Sequence, residues 1–530
     1  MDELYKITAS AVTAILLCVG TRAMIGAMQQ SGYKNTLFFR WLRRKDNLFF
    51  NRLAVLSLCL FLAAAVTCLC FSFLGVTWAW ICSAIPFFAL CLAFVWASGK
   101  YALKVPLKNT GRSNRLFVAY LILTAAIGCG AVYFLGWLGE INGSRIYALI
   151  AYLPFAVMPM LLPLVLGLAN GILSVFENAR NKKFVKRAGQ VLDECKITRV
   201  GVVGSFGKTS VKNILKTLLS EKYSVVETPA SYNTPMGIAK TVFSDDFADK
   251  QIFIAEMGAR KKGDIAELCS LVKPDYAIFT GVCQQHIGSF GSLENVFSEK
   301  SEILKCGAKT VVCGNGLREY IQEKYDCVAY ADEVQDLSLQ ATKTRFVLPV
   351  NGEDVAVETA LLGESGAENI ALCVKLCECL GMSAEEIVRG IEKIMPVPHR
   401  LQLIENGGVY ILDDGYNCNP RGAKLAIDAL CRFGGKKCVV TPGIIECGVL
   451  EESINAELGE YLAKADLDKV VLVGETLVTA VKNGYVTAGG DLSKLTLVKT
   501  LDGAKPVLAE FLHAGDAVLF LNDLPDIYAR

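Results

Sequence analysis

Lys208 and Thr209 close the stretch GVVGSFGKTSVK (201–212), in which Gly204 and Gly207 leave the backbone free to wrap an anion. That spacing suits phosphate. The backbone N–H groups of Gly204, Ser205, Phe206, Gly207, Lys208 and Thr209 can point inward, Lys208 can reach the outer oxygens, and the Thr209 hydroxyl can ligate Mg²⁺. Val202 occupies the place of the first glycine of the commoner Walker pattern, and a glycine turn with an incidental lysine is the competing reading. Further along, Glu256 ends the apolar run IFIAE, His286 is one of only 3 histidines, and Lys300 sits in SEKSEIL. A carboxylate, an imidazole and the Thr209 hydroxyl make a donor set for Mg²⁺ on phosphates. Each has a plainer alternative: Glu256 as a helix cap, His286 as a turn residue, Lys300 as a solvated helix lysine.

The neighbouring elements must position these groups. RVGVVG reads as a buried strand and KTSVKNILKTLLSEK as a helix, its apolar residues three and four apart. IFIAE and YAIF read as further buried strands, so Glu256 and His286 fall at strand ends, where open α/β sheets carry their sites. KCVVT, KVVLVG, LTLV and AVLFL continue the strand–helix alternation toward the C-terminus.

The 530-residue chain is 53% hydrophobic and 20% charged, too apolar to be wholly soluble. Five apolar runs are expected to span a membrane: 4–24, 53–74, 78–96, 116–138 and 147–168. The first is bounded by Lys6 and Arg22 and reads as an uncleaved span rather than a signal peptide. Pro154, Pro159 and Pro163 imply a kinked or broken fifth helix. The connections after spans one, three and five are rich in Lys and Arg, and the alternate ones are nearly neutral. The positive-inside rule then puts the N-terminus outside and everything beyond span five in the cytoplasm, where ATP is found. LFFRWLRRKDNLFF (37–50), mixing aromatics with Arg and Lys, reads as lying at the headgroup level, either as an anchor or as a dock for an anionic lipid.

Residues 1–187 hold 19 Lys/Arg against 5 Asp/Glu; of the chain's 54 and 52, that leaves 35 against 47 for the remainder. A basic membrane region joined to an acidic soluble module fits that split. The 20 cysteines show no paired spacing for zinc. Cys373, Cys377 and Cys379 have helical spacing and read as small buried residues of a reducing compartment, with a metal site as the alternative.

Taken in order, GSFGKTS, SYNTPMG, AEMGARKKGDI, GVCQQHIGSFGS with EKSEI, ENIAL, PHRLQ and DDGYNCNP resemble the Mur ligase family, the ATP-dependent amide ligases that build the peptide of peptidoglycan. The likeness is greatest to its D-alanyl-D-alanine-adding members and covers the chain from about Arg199 onward. The apolar runs give a multi-span α-helical membrane region (1–187) and hence a cell-membrane enzyme; the resemblance implies, beyond it, a central ATP-binding α/β domain with a P-loop and a mostly parallel sheet (188–395) and a C-terminal Rossmann-like α/β domain (396–530). It also implies ATP and Mg²⁺ as cofactors and no nucleic-acid partner. Its substrates would be a muramoyl peptide, UDP- or lipid-linked, and an amino acid or dipeptide.

By position, the resemblance gives the phosphates to Gly204 through Ser210, with Lys208 foremost. Metal falls to Thr209, Glu256, His286 and, if carbamylated, Lys300. Asn369 would meet adenine, Arg400 the γ-phosphate and Asp414 the ribose, with Asn233 and Thr234 near the reacting acyl group. Lys208, Lys300, His286, Asn233 and Thr234 are thus the candidate catalytic residues.

The departures are specific. Ser365 and Gly366 replace a His-Asn pair, His399 replaces a glycine, and TPGIIECG (441–448) replaces a glycine-aspartate-methionine run, which leaves the incoming amine open. Only 188–198 separate the last basic flanking residue from the first strand, with no room for the uridine-binding domain of soluble members. The expectation is that the spans replace it and that the acyl substrate is presented at the membrane. A polyglutamate-type synthase is the alternative within the ligases, and an ATP-driven transporter or sensor the alternative outside them.

Overall fold

The computed structural model describes residues 2–43, 48–70, 76–99, 105–141, 153–244, 247, 249–283, 290–321, 325–416, 418–445, 447–475 and 477–522. Residues 1–180 form one compact unit and 181–523 a second.

The first unit is wholly helical, with helices at Asp2–Gly20, Arg22–Gln30, Asn35–Leu42, Leu48–Cys70, Val76–Gly99 and Gly111–Ile141, and the first part of Leu153–Glu194. Helix covers part of every expected span. Among the described residues, two helices are long and apolar enough to cross a bilayer, Gly111–Phe134 and Pro154–Glu194. The pair Ser10–Gly20 and Arg22–Gln30 makes a third if counted as one span, and it is bent by 47°. The bend falls within the expected first span, close to its end. Thr21 sits at the corner, where its hydroxyl bonds the Leu17 carbonyl at 2.8 Å and pairs with the Tyr120 hydroxyl at 2.9 Å.

Of the kinked or broken helix expected at the prolines, the break is not found, because one helix runs from Leu153 to Glu194 through Pro159 and Pro163. Pro154 stands in its first turn, where the missing N–H costs no helical bond. In the aromatic stretch 37–50, Phe38 and Trp41 are buried in this unit's core and Arg40 and Arg43 are exposed. Arg44 to Asn47 lie outside the described residues.

In the second unit a six-stranded parallel sheet has the order β2-β3-β1-β4-β5-β6. Its strands are β1 (Thr198–Val203), β2 (Val225–Glu227), β3 (Ile252–Glu256), β4 (Tyr276–Phe279), β5 (Thr310–Cys313) and β6 (Val328–Tyr330). Burial on both faces explains why β1, β3 and β4 read as continuous apolar runs instead of alternating ones. The helix Lys208–Leu219 buries Val211, Ile214, Leu215 and Leu218, each contributing about 1.5–3 kcal/mol. These meet Cys373 and Cys377, fully buried on the helix Glu364–Cys379 and so core packing, whereas Cys379, expected to be buried with them, is exposed at the end of that helix.

Strands β7 (Gln335–Leu339), β8 (Thr344–Val350) and β9 (Glu353–Thr359) form a small antiparallel sheet. The last sheet runs β10-β11-β15-β12-β13-β14, built from β10 (Gln402–Asn406), β11 (Val409–Asp414), β12 (Lys437–Thr441), β13 (Lys469–Val473), β14 (Leu495–Val498) and β15 (Ala517–Leu521). Only the β10–β11 hairpin in it is antiparallel.

Candidate functional site

The loop between β1 and the helix Lys208–Leu219 is shaped by two glycines. At Gly204, with φ +156°, a Cβ would lie 1.9 Å from Thr280 Oγ1; at Gly207, with φ +73°, it would lie 2.8 Å from Asn369 Oδ1. Thr280, just past β4, clamps the loop by donating to the Phe206 carbonyl at 2.5 Å, and Ser205 N donates to the Gly281 carbonyl at 2.8 Å. The Ser205 hydroxyl is buried and has no hydrogen-bond partner among the described residues. A buried hydroxyl facing no acceptor is costly, and in this loop it fits a phosphate oxygen.

Two lysines converge on the same carbonyl: Lys208 Nζ donates to Gly204 O at 2.7 Å and Lys300 Nζ at 2.9 Å. Lys300 ends the helix Leu293–Lys300 and is 1% exposed, which excludes the solvated alternative. Burial and then the neighbouring Lys208 charge push its pKa down to about 7. Burial likewise lowers Lys208. Two crowded, desolvated lysine side chains favour an anion between them, and an amine of pKa about 7 is shared between its charged and neutral forms near physiological pH, the neutral form being open to carbamylation.

Glu256, at the end of β3 and 1% exposed, gathers the remaining polar groups. Thr209 Oγ1 donates to Glu256 Oε2 at 3.0 Å, and Asn233 Nδ2 donates to Glu256 Oε1 at 3.2 Å. Lys212 Nζ lies 3.6 Å from Oε2 and donates to the Thr228 and Ala230 carbonyls. A carboxylate beside a hydroxyl is a fitting oxygen set for Mg²⁺, with Thr209 and Glu256 as the residues that would hold it. Among the described residues no group of three His, Cys, Asp or Glu forms a metal cluster. His286 lies outside the described residues. Thr234 is occupied as the N-cap of Pro235–Val242, its hydroxyl accepting from Gly237 N at 3.3 Å.

On the other side of the loop, Gly207, Ser210, Asn369, Arg400 and Asp414 line one cleft with Ser365, Cys418 and Arg421. Asn369, Phe206, Thr280, Asn315 and Arg421 also line an adjoining pocket of about 540 Å³. Burial, opposed by Arg400, raises Asp414 to about 6, and its carboxylate accepts from Leu401 N at 3.1 Å. His399 and Leu401, flanking Arg400, both take left-handed backbone, φ +62° and +47°. His399 Nδ1 bonds Asp413 Oδ2 at 2.7 Å. The Arg400 guanidinium stacks 4.4 Å from the Tyr416 ring centroid. Arg421 bonds both Glu368 oxygens, at 3.0 and 3.1 Å.

The structure therefore brings Gly204 to Ser210, Lys300, Glu256, Asn233, Asn369, Arg400 and Asp414 to one region. Lys212, Thr280 and Arg421 belong to that region and were not singled out from the sequence. Lys212 carried a signal, since it follows Lys208 by four residues on the same helical face.

A glycine-bent loop between a central parallel strand and a helix N-terminus, with an acidic residue ending the adjacent strand, defines a P-loop α/β fold. Residues 202–377 match the Mur ligase middle domain. The chain carries that domain and through it is related to the Mur ligases.

Over 290 residues it is 29% identical to the UDP-N-acetylmuramoyl-tripeptide–D-alanyl-D-alanine ligase of Bacillus subtilis, covering 52% of this chain and 62% of that one. The chain thus spans less than two thirds of that relative's length. Among solved structures, MurF ligase from Thermotoga maritima in complex with ADP aligns with TM-score 0.58 and 28% identity, over 65% of this chain and 80% of that one. MurF from Acinetobacter baumannii aligns with TM-score 0.60 and 23% identity, over 66% and 78%, a likeness of fold.

Proposed function

We propose that this chain is a membrane-bound, ATP-dependent ligase that joins an amino acid or dipeptide to a muramoyl-peptide carboxylate in peptidoglycan precursor synthesis. The observation that carries the reading is the convergence of Lys208 and Lys300 on the Gly204 carbonyl, with Thr209 and Asn233 on Glu256 across the same loop. The relatives' own substrates, a UDP-linked tripeptide and D-alanyl-D-alanine, make that dipeptide the first amine to test.

In this reading the substrate carboxylate attacks the γ-phosphorus of ATP, ADP departs, and an acyl phosphate forms. The incoming amine attacks the acyl carbon, and collapse of the tetrahedral intermediate releases phosphate and leaves an amide. The chain's part is positioning and charge. The loop N–H groups and Lys208 hold the phosphates, Ser205 Oγ donates to an oxygen, Asn233 orients the carboxylate of Glu256, and Arg400 offsets charge at the γ-phosphate. Asn369 meets the base and Asp414 the ribose. Mg²⁺, held by Thr209 and Glu256, would supply Lewis-acid neutralisation of the phosphate oxygens. Lys300, as its carbamate, would add an anionic oxygen ligand where the unmodified side chain presents a cation.

Two variants test this. Lys208→Ala should abolish substrate-dependent ADP release, and Lys300→Ala should be partly rescued by a short carboxylic acid. Full activity in either variant removes that residue from the site.

The membrane assignment is supported by the first unit's outward face. Trp96, Ile122, Leu164, Val175 and Phe176 are each more than half exposed, whereas Thr21, Thr124, Asn170 and Glu177 are buried. Apolar surface outside and polar contacts inside suit lipid as solvent. We place the unit in the cell membrane, with several passes, the N-terminus outside and the second unit cytoplasmic; cysteine-accessibility labelling in intact cells checks that orientation. The acyl substrate is then lipid-linked and presented at the membrane. Turnover only on a UDP-linked muramoyl peptide would sink the lipid part and leave the ligase intact. Product mass separates a single addition from the ladder of a polyglutamate-type synthase.

A further inference from the structure

We infer that the helical unit carries a second anion site, for a phosphate or pyrophosphate group, built around Arg112 at the start of the helix Gly111–Ile141. The inference concerns this unit alone and does not depend on the ligase reading.

Three guanidiniums, Arg112, Arg115 and Arg180, gather about one carboxylate. That carboxylate, Glu177, is 4% exposed and fully used: Arg115 Nε donates to Oε1 at 2.7 Å and Arg180 Nη2 to Oε2 at 2.6 Å. Arg112 is the surplus cation. Among the described residues it has no hydrogen bond or ion pair, and its Nε is buried without an acceptor. Its one contact is with the Tyr33 ring, whose centroid lies 3.9 Å from the guanidinium carbon.

The fold holds that contact in place. Gly32 and Tyr33 both take left-handed backbone, φ +62° and +61°, a conformation that is strained for Tyr33. Asn170 Nδ2, on the helix Leu153–Glu194, donates to the Tyr33 carbonyl at 2.9 Å. It also donates to Asn35 Oδ1 at 2.8 Å. A planar cation stacked on one face, its edge N–H occluded and unpaired, beside a fully engaged carboxylate, leaves a local charge of plus two. Phosphate oxygens match the terminal guanidinium nitrogens in geometry and supply the missing negative charge. Helix N-terminal N–H groups at Gly111 and Arg112 add to the field. The phosphate can belong to a lipid headgroup or be free in solution.

The test uses the full chain in detergent with its nucleotide site kept full by ADP. Inorganic pyrophosphate is titrated calorimetrically, and native mass spectrometry compares retained phosphatidic acid with phosphatidylcholine. Arg112→Gln should weaken pyrophosphate binding roughly ten- to hundred-fold, the scale of a charge-assisted hydrogen bond. Lys182→Gln, an exposed cation on the helix Leu153–Glu194, should leave binding unchanged. Glu177→Gln, which releases Arg115 and Arg180, should tighten binding, a gain that misfolding does not mimic. Arg112-dependent retention of phosphatidic acid over phosphatidylcholine assigns the site to a headgroup, and pyrophosphate binding without it assigns the site to free phosphate. Binding of neither probe, equal loss in Lys182→Gln, or no gain in Glu177→Gln would overturn the inference.

Discussion

Lys300 titrates where its site can use it, and the consequence for stability has a definite sign. Burial lowers its pKa from 10.5 to about 7 in the folded chain. Between those values the unfolded chain holds the extra proton, so unfolding free energy rises with pH across that window; below about pH 7 the cost of a buried charge is fully present. Denaturant midpoints from about pH 6 to about pH 9 should climb for the native chain and more shallowly for Lys300→Met, with the lowered Lys208 keeping part of the slope. His399 is a second case. Its left-handed φ of +62° is one that glycine adopts without strain, and its bond to Asp413 offsets the strain. His399→Gly should therefore change stability by less than about 1 kcal/mol, whereas His399→Val should cost about 2 kcal/mol or more; thermal denaturation of the two variants decides. At this scale Lys208, Thr209 and Glu256 were legible because they stand at the end of a strand or the start of a helix. Thr280 and Arg421 were not, because tertiary approach alone gives them their partners.

Among the elements, the helix Asp264–Val272 depends on an acid from another helix. Glu299 accepts from Gly263 N at 2.7 Å and Ile265 N at 2.8 Å, capping that helix from Leu293–Lys300. Glu299→Gln keeps the shape and loses the charge, which should cost about 1–2 kcal/mol. Because Lys300 is the next residue, ADP release should fall with it while a variant at the exposed Glu294 keeps both. The parallel strands were legible as short apolar runs bounded by glycine or polar residues. The antiparallel sheet β7–β9 went unread, since β7 is largely exposed and lacks a continuous apolar run. The unbroken helix Leu153–Glu194 defied its prolines because one stands in the first turn and Phe155, Met158 and Leu162 are buried beside the others; such packing outweighs two missing hydrogen bonds.

For the whole molecule, two compact units with separate cores predict two unfolding transitions. ADP with Mg²⁺ should raise only the transition of residues 181–523, by about 2.7 kcal/mol at a hundred times Kd. A single transition shifted as one would show that the units unfold together. The helical, apolar character of residues 1–180 was legible in hydropathy. The bend at Thr21 was not, since it arises where a hydroxyl bonds its own helix and Tyr120 at once.

The boundary between the units falls at Arg180, inside the helix Leu153–Glu194, and the next turns hold Lys182, Lys183, Lys186 and Arg187. A trypsin cut needs about a turn or more of unwound backbone, so these bonds are protected for as long as that helix stays wound. The rate at which trypsin separates the units, measured at low protease, then reads the opening equilibrium of the segment that joins them.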